Sequence, residues 1–208
     1  AQADAVGSEA AASAAAGELD AVTLKEHEAA TRVKNINAIV LGAWRMETWY
    51  YSPFPREFEG SDVLYFCEFD LHFMRSQRSL TRHLSRPDLL PHPPGIEVYR
   101  ADGLSVFEVD GAHAPRFCQN LCLLAKLFLD HKALYWGVEP FLFYVLCECD
   151  EAGCHPVGYF SKEKASPDDY NLACILTLPP FQRKGYGRFL ISLSYELSRR
   201  DGKMGTPE

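Results

Sequence analysis

Gln182-Arg183-Lys184-Gly185-Tyr186-Gly187-Arg188 is the stretch of this 208-residue sequence whose residue types and spacing suit a definite chemistry. It follows an apolar, β-branched run and the breaker Pro179-Pro180, and it opens a segment with helical apolar spacing at Phe189, Leu190, Leu193 and Leu197. At a helix start, successive backbone N–H groups lack intrahelical acceptors, and the helix dipole adds partial positive charge. Gly185 and Gly187 would let a diphosphate come up against the main chain, and Arg183 and Lys184 supply mobile cations. The same spacing fits an ordinary strand-to-helix turn that begins with glycine, so spacing alone leaves both readings open. The missing Gly-Lys-Ser/Thr ending excludes a Walker loop, and the glycines are misplaced for a dinucleotide fingerprint.

Such a loop needs a strand before it and a helix behind it. The sequence predicts a strand over 170–178 after the turn 166–169, and a helix over 185–200. Strand-like runs over 141–149 and 155–162 precede it, joined by a hairpin loop at 150–153. The most apolar helix is predicted over 118–129, where Leu121, Leu124, Ala125, Phe128 and Leu129 fall at helical spacing. Further strands are predicted over 63–66, 98–100 and 104–109, the last closed by a turn at Asp110-Gly111, with weak helical character over 79–84. Pro87, Pro91, Pro93, Pro94 and Gly95 form a rigid irregular connection, and short strands between Ile36 and Tyr51 end at Ser52-Pro53-Phe54-Pro55. Residues 1–31 are Ala/Glu/Ser/Gly-rich and read as a disordered lead-in. No internal repeat is found, and the order of elements is an α and β mixture around an antiparallel sheet.

Composition is globular: 47% hydrophobic, 24% charged and 12% aromatic residues. A net charge of -7 disfavours a polycation that binds duplex nucleic acid and suits a basic partner. Seven cysteines scattered through apolar contexts argue against a secreted disulfide framework and for a reducing compartment. No uncharged run approaches the roughly 20 residues of a membrane span, and the acidic start resembles no targeting peptide.

Gln182 to Gly187 resembles the Gln/Arg-x-x-Gly-x-Gly/Ala coenzyme A loop of the GNAT-like acetyltransferase superfamily. Longer blocks resemble the MYST histone acetyltransferases, with the flavour of the MOF-like branch. These are Trp49 to Pro55, Phe107 to Gly111, Cys118 to Lys132, Gly158 to Lys164, Ala173 to Pro179, Ser194 to Ser198 and Gly205 to Glu208. The resemblance covers about residues 33 to 208 and implies a mixed, mainly antiparallel, splayed sheet with acetyl-CoA wedged between diverging strands. It implies an N-terminal subdomain over 32–95 with a degenerate zinc finger and a catalytic core over 96–208. Carried over by motif, Glu208 is the general base that deprotonates the substrate lysine, and Cys174 lies beside the thioester as an acyl carrier or a bystander. The backbone of Ile175, Leu176 and Thr177 holds the acetyl and pantetheine part, and Gln182, Arg183, Lys184, Gly185, Tyr186, Gly187 and Arg188 hold the diphosphate. Lys132 matches a lysine that acetylates itself. Without the resemblance, Glu208 reads as a solvated acid, Cys174 as a small buried strand residue and Lys132 as a helix-end cation.

The family pattern breaks in two places. Where the finger has Cys-x-x-Cys, a His and a further Cys, this sequence keeps Cys67 and His83 but has Asp70 and Pro87. Proline cannot ligate, so zinc is not expected, and packing by Leu64, Phe66, Phe69, Phe73 and Leu84 is expected in its place. Cys118, Cys122, His72, His92, His113 and His131 read as buried thiols and surface imidazoles. Family members also continue past the glutamate, whereas this sequence ends at Glu208, so the resemblance predicts a truncated domain of low activity. The implied function is acetyl transfer from acetyl-CoA to lysines of histone tails, in the nucleus and among the subunits of a chromatin-modifying complex. No membrane and no sequence-specific nucleic acid partner is expected. The alternative is an impaired scaffold domain of such a complex; a metabolic acetyltransferase is disfavoured by the Trp49 and Cys118 blocks.

Overall fold

The computed structural model describes residues 34–58, 60–131 and 136–207. A small four-stranded sheet comes first, built from β1 (Ala38–Leu41), β2 (Trp44–Glu47), β3 (Val63–Phe66) and β4 (Phe73–Met74) in the order β2-β1-β3-β4. β1 and β3 run parallel; the other pairs are antiparallel. Leu64 and Phe66 are fully buried and Phe73 nearly so. Helix α1 (Gln77–Leu84) closes this part, its N-terminus capped by the Ser76 hydroxyl, which accepts from the Ser79 N–H. Leu80 is its buried anchor. Leu84, expected to pack, is exposed: it lies a turn further along, and the two-residue β4 is too short to cover a second turn.

The larger sheet has the order β10-β8-β7-β6-β5, every neighbour antiparallel. Its strands are β5 (Ile96–Ala101), β6 (Leu104–Asp110), β7 (Phe141–Cys149), β8 (Cys154–Glu163) and β10 (Cys174–Thr177). The β5–β6 hairpin turns at Asp102-Gly103, both at positive φ, and the expected turn at Asp110-Gly111 closes β6. Phe143 to Cys147 are buried without alternation, as a strand covered on both faces must be. One cover is helix α2 (Pro115–Lys126) and the other helix α3 (Tyr186–Arg200). Tyr159 feels Cys122 of α2, while a side chain on its neighbour Gly158 would touch Leu190 of α3; successive strand residues point to opposite faces.

Two predicted boundaries moved. α2 starts at Pro115, whose missing N–H costs nothing at a first helical position, and beyond Lys126 the chain tightens into three-residue turns, Leu127 N–H to Leu124 O and Phe128 N–H to Ala125 O. The single strand predicted over 170–178 bends at Ala173 into β9 (Tyr170–Leu172) and β10. β9 leaves the large sheet and pairs in parallel with β11 (Thr206–Pro207). Cys149 and Cys154, directly opposite across the β7–β8 hairpin, form a disulfide, a pairing the scattered cysteines did not disclose. Cys67, Cys118 and Cys147 are buried, free thiols. The mixed, mainly antiparallel α/β class expected from the sequence is the class observed.

Candidate active site

β10 is the outermost strand of the large sheet. Alternate N–H and C=O groups of Cys174–Thr177 therefore point away from β8 with no strand opposite them among the described residues. Its register against β8 is Cys174↔Ser161, Ile175↔Phe160, Leu176↔Tyr159 and Thr177↔Gly158. Cys174 and Leu176 thus share the α2 face, and Ile175 and Thr177 the α3 face. The approach at Gly158 is close: a Cβ there would sit 2.6 Å from the Leu176 carbonyl oxygen. Cys174 is half-buried, and its N–H donates to the Ser161 hydroxyl at 3.2 Å.

A 3-10 turn (Pro179–Phe181) then leads into the loop, where Arg183 (φ 64) and Gly185 (φ 96) take left-handed conformations. Gly185 caps α3 without a side chain, and among the described residues no backbone N–H from Gly185 to Arg188 donates to a protein acceptor. Gln182 does not hang free: its carboxamide donates to Thr177 O at 3.0 Å and ties the loop to the end of β10. Lys184 lies over the Phe181 ring at 5.2 Å, and Phe181 meets Trp44 edge-on. Tyr186 donates its hydroxyl to Glu148 of β7, which, with burial second, pushes the phenol up to about 12. Arg183, Lys184 and Arg188 are exposed and have no carboxylate partner among the described residues. Free N–H donors and unpaired cations thus follow an open strand edge, and a Cβ on Gly187 would lie 3.6 Å from the Thr177 hydroxyl at its end. That combination can bind a diphosphate at the helix start and an extended amide-bearing chain along β10.

Two polar groups that sequence reasoning missed lie behind β10. The Tyr159 hydroxyl is sealed from solvent without a partner, and burial first, then Cys122 and Cys174, push its pKa well up. The Asn171 carboxamide in β9 is likewise sealed and unpaired. It packs on Gly205 so tightly that a Cβ there would lie 2.9 Å from the Asn171 Cβ. Nothing in local sequence marks either residue, since each is polar only in context. Pro207 pairs with Leu172, which brings the chain to the side of β9. Glu208 and Lys132 lie outside the described residues.

At the other end, Cys67, Asp70 and His83 bring one donor atom each to within 4.8 Å of one another. His83 Nε2 and Asp70 Oδ2 are 2.8 Å apart, and burial, opposed by the backbone hydrogen bonds of Asp70 and Phe69 and aided by the Asp70 carboxylate, pushes the Cys67 thiol up to about 12. Pro87 offers no donor, and among the described residues no fourth ligand joins the group. A closed four-ligand zinc site does not fit this donor set.

The model of the MOZ/SAS family matches residues 92–208, and that of the MYST family zinc finger domain matches residues 33–86. The chain is 63% identical over 191 residues to the putative MYST-like histone acetyltransferase 1 of Oryza sativa subsp. japonica, covering 92% of this chain and 42% of that protein. It is 63% identical to the histone acetyltransferase of the MYST family 1 of Arabidopsis thaliana, covering 92% of this chain and 43% of that one. Against histone acetyltransferase esa1 of Aspergillus fumigatus it is 56% identical, covering 85% and 36%. The chain thus spans about two fifths of the length of these curated relatives.

Proposed function

The chain belongs to the MOZ/SAS family, and on that premise we propose that it is the acetyl-CoA-binding part of a histone lysine acetyltransferase, of the MOF-like branch, acting on chromatin in the nucleus within a larger complex. The observation that carries the reading is the open edge of β10 running into the uncapped start of α3. In this reading the main chain of Ile175, Leu176 and Thr177 pairs with the pantetheine amides, and the N–H groups of Gly185 to Arg188 receive the diphosphate. Arg183, Lys184 and Arg188 neutralise its charge; Gln182 and Tyr186 hold the loop in place. The cosubstrate supplies an activated thioester. The lysine amine, ordinarily protonated with a pKa near roughly 10.4, must lose its proton before its nitrogen attacks. Glu208 takes that proton, the new N–C bond forms, the C–S bond breaks and the thiolate of the cosubstrate leaves. Cys174, half-buried on the α2 face, lines the thioester site. Lys132 is the proposed site of self-acetylation. The division into a 32–95 subdomain and a 96–208 core belongs to the same reading, as does a finger that holds together without structural zinc.

The test is transfer of label from radiolabelled acetyl-CoA to core histones by the intact protein and by its Glu208→Gln variant. Label on histone lysines that falls by two orders of magnitude or more in the variant is expected, since a general base contributes about 10²–10⁴-fold. An undiminished variant overturns the role of Glu208, and absence of transfer by the intact protein overturns the enzymatic reading.

A further inference from the structure

Trp44 starts β2 just past the turn at Gly42 and is 45% exposed. A single exposed tryptophan calls for no function by itself. This one, however, is tied to the loop that follows β10. Its indole meets Phe181, the last residue of the 3-10 turn, with 5.6 Å between ring centres and an interplanar angle of 72°. Phe181 is buried, carries the Lys184 ammonium over its ring at 5.2 Å, and meets Tyr186, the first residue of α3, at 6.5 Å. Trp49 and Trp136 are as exposed, but among the described residues neither has a ring contact with this loop; Trp49 packs on Phe128, just past α2.

Trp44 is thereby held along one side by a buried ring of the loop's own base, and among the described residues no other ring lies against it. Aromatic side chains stack on nucleic bases whatever the base, and a rigid indole loses little freedom in doing so. In the function proposed above, the pantetheine of the cosubstrate lies along β10 and its diphosphate on Gly185 to Arg188. The nucleoside on the other side of that diphosphate then extends past the loop and needs a surface there. We propose that Trp44 is that surface, a stacking platform for the purine base of acetyl-CoA; the assignment rests on the placement of the cosubstrate just given. Lys184, which shares the Phe181 ring with Trp44 and is itself exposed, supplies a cation to the phosphate groups next to the nucleoside. The small N-terminal sheet thus takes part in choosing the acyl donor: Trp44 distinguishes a nucleotide-bearing thioester from the bare phosphopantetheine arm, which the edge of β10 alone would accept.

The experiment is a calorimetric titration of the 208-residue chain and its Trp44→Ala and Trp44→Phe variants. The ligands are acetyl-CoA and S-acetyl phosphopantetheine, which keeps the arm and one phosphate and lacks the nucleoside. Trp44→Ala should weaken acetyl-CoA about 10- to 100-fold, as loss of one base–aromatic stack does, and leave the affinity of the shorter ligand unchanged. Trp44→Phe keeps a ring face and should stay within about threefold of the native affinity. Acetyl-CoA should quench the tryptophan emission of the native chain, the shorter ligand should not, and Trp44→Phe should lose the quench. Unchanged acetyl-CoA affinity in Trp44→Ala, or an equal loss for both ligands, overturns the platform and leaves the loop reading standing. Failure of both ligands to bind the native chain refutes the placement of the cosubstrate and this assignment with it. If Trp44→Ala fails to fold, the emission of Trp44→Phe decides: a quench that survives there overturns the platform.

Discussion

Gly187→Ala should make the protein more stable and a worse binder of coenzyme A. Gly187 is the second residue of α3, has no positive φ, and a Cβ built on it would meet nothing nearer than the Thr177 hydroxyl at 3.6 Å, an ordinary contact. The free protein therefore accepts alanine without strain. Alanine gains up to about 1 kcal/mol over glycine inside a helix, and less in the first turn, so roughly 0.5 kcal/mol and a rise of about 1–2 °C are reasonable. The methyl group, however, stands over the N–H groups that a diphosphate must reach. Losing one charge-assisted hydrogen bond of about 1.5–3 kcal/mol weakens binding roughly 10- to 100-fold. Gly185→Ala is the contrasting case: its φ of 96 is disfavoured for any L side chain although nothing lies within 4 Å of the added atom. It should lower stability by about 1–2 kcal/mol. Calorimetric titration with coenzyme A and thermal melts of both variants separate blocking from strain. Unchanged affinity in Gly187→Ala would refute the close approach of a diphosphate to this turn.

Chelator should leave the melting temperature unchanged, because Pro87 withholds the fourth donor from Cys67, Asp70 and His83; metal analysis returning one zinc per chain would contradict this. His155 lies 2.9 Å from Glu68 and 3.0 Å from Asp150, and although burial opposes its charge these carboxylates outweigh it and raise its pKa. A raised value stabilises the fold below the unfolded pKa of about 6.5 and loses that stabilisation as pH rises through the folded value. The melting-temperature gap between the native chain and His155→Gln should therefore be widest in acid and narrow in alkali, and an equal gap across pH would count against the ion cluster. Gly158→Ala drives a methyl into the Leu176 carbonyl and should cost about 1–3 kcal/mol by prying β10 from β8; a melt within error of the native protein would show that the strands can part freely.

Local chemistry was legible in the sequence, and long-range pairing was not. Val63–Phe66 and the 150–153 hairpin were readable because β-branched and aromatic runs met turn residues directly. The loop at 182–188 was readable because its glycines and cations sit side by side. The strand over 170–178 was too long because its apolar pattern continues through Ala173, where the chain bends to send β9 toward β11. The exposure of Leu84 depends on how short β4 is. Tyr186 to Glu148, Asn171 against Gly205 and the Asp70–His83 pair join residues far apart along the chain, and no periodicity encodes such pairs. Gln182, expected to hold the diphosphate, also donates its carboxamide to Thr177 O, a contact that its place in the motif did not disclose.

In the proposed function acetyl-CoA lies along β10 with its diphosphate on the first turn of α3. An amide-resolved NMR titration of the chain with acetyl-CoA tests this most directly. The largest shifts are expected on Ile175, Leu176 and Thr177 and on Gly185 to Arg188 together, saturating with one affinity. Shifts that leave either segment untouched, or that fall on the β5 edge instead, would contradict it.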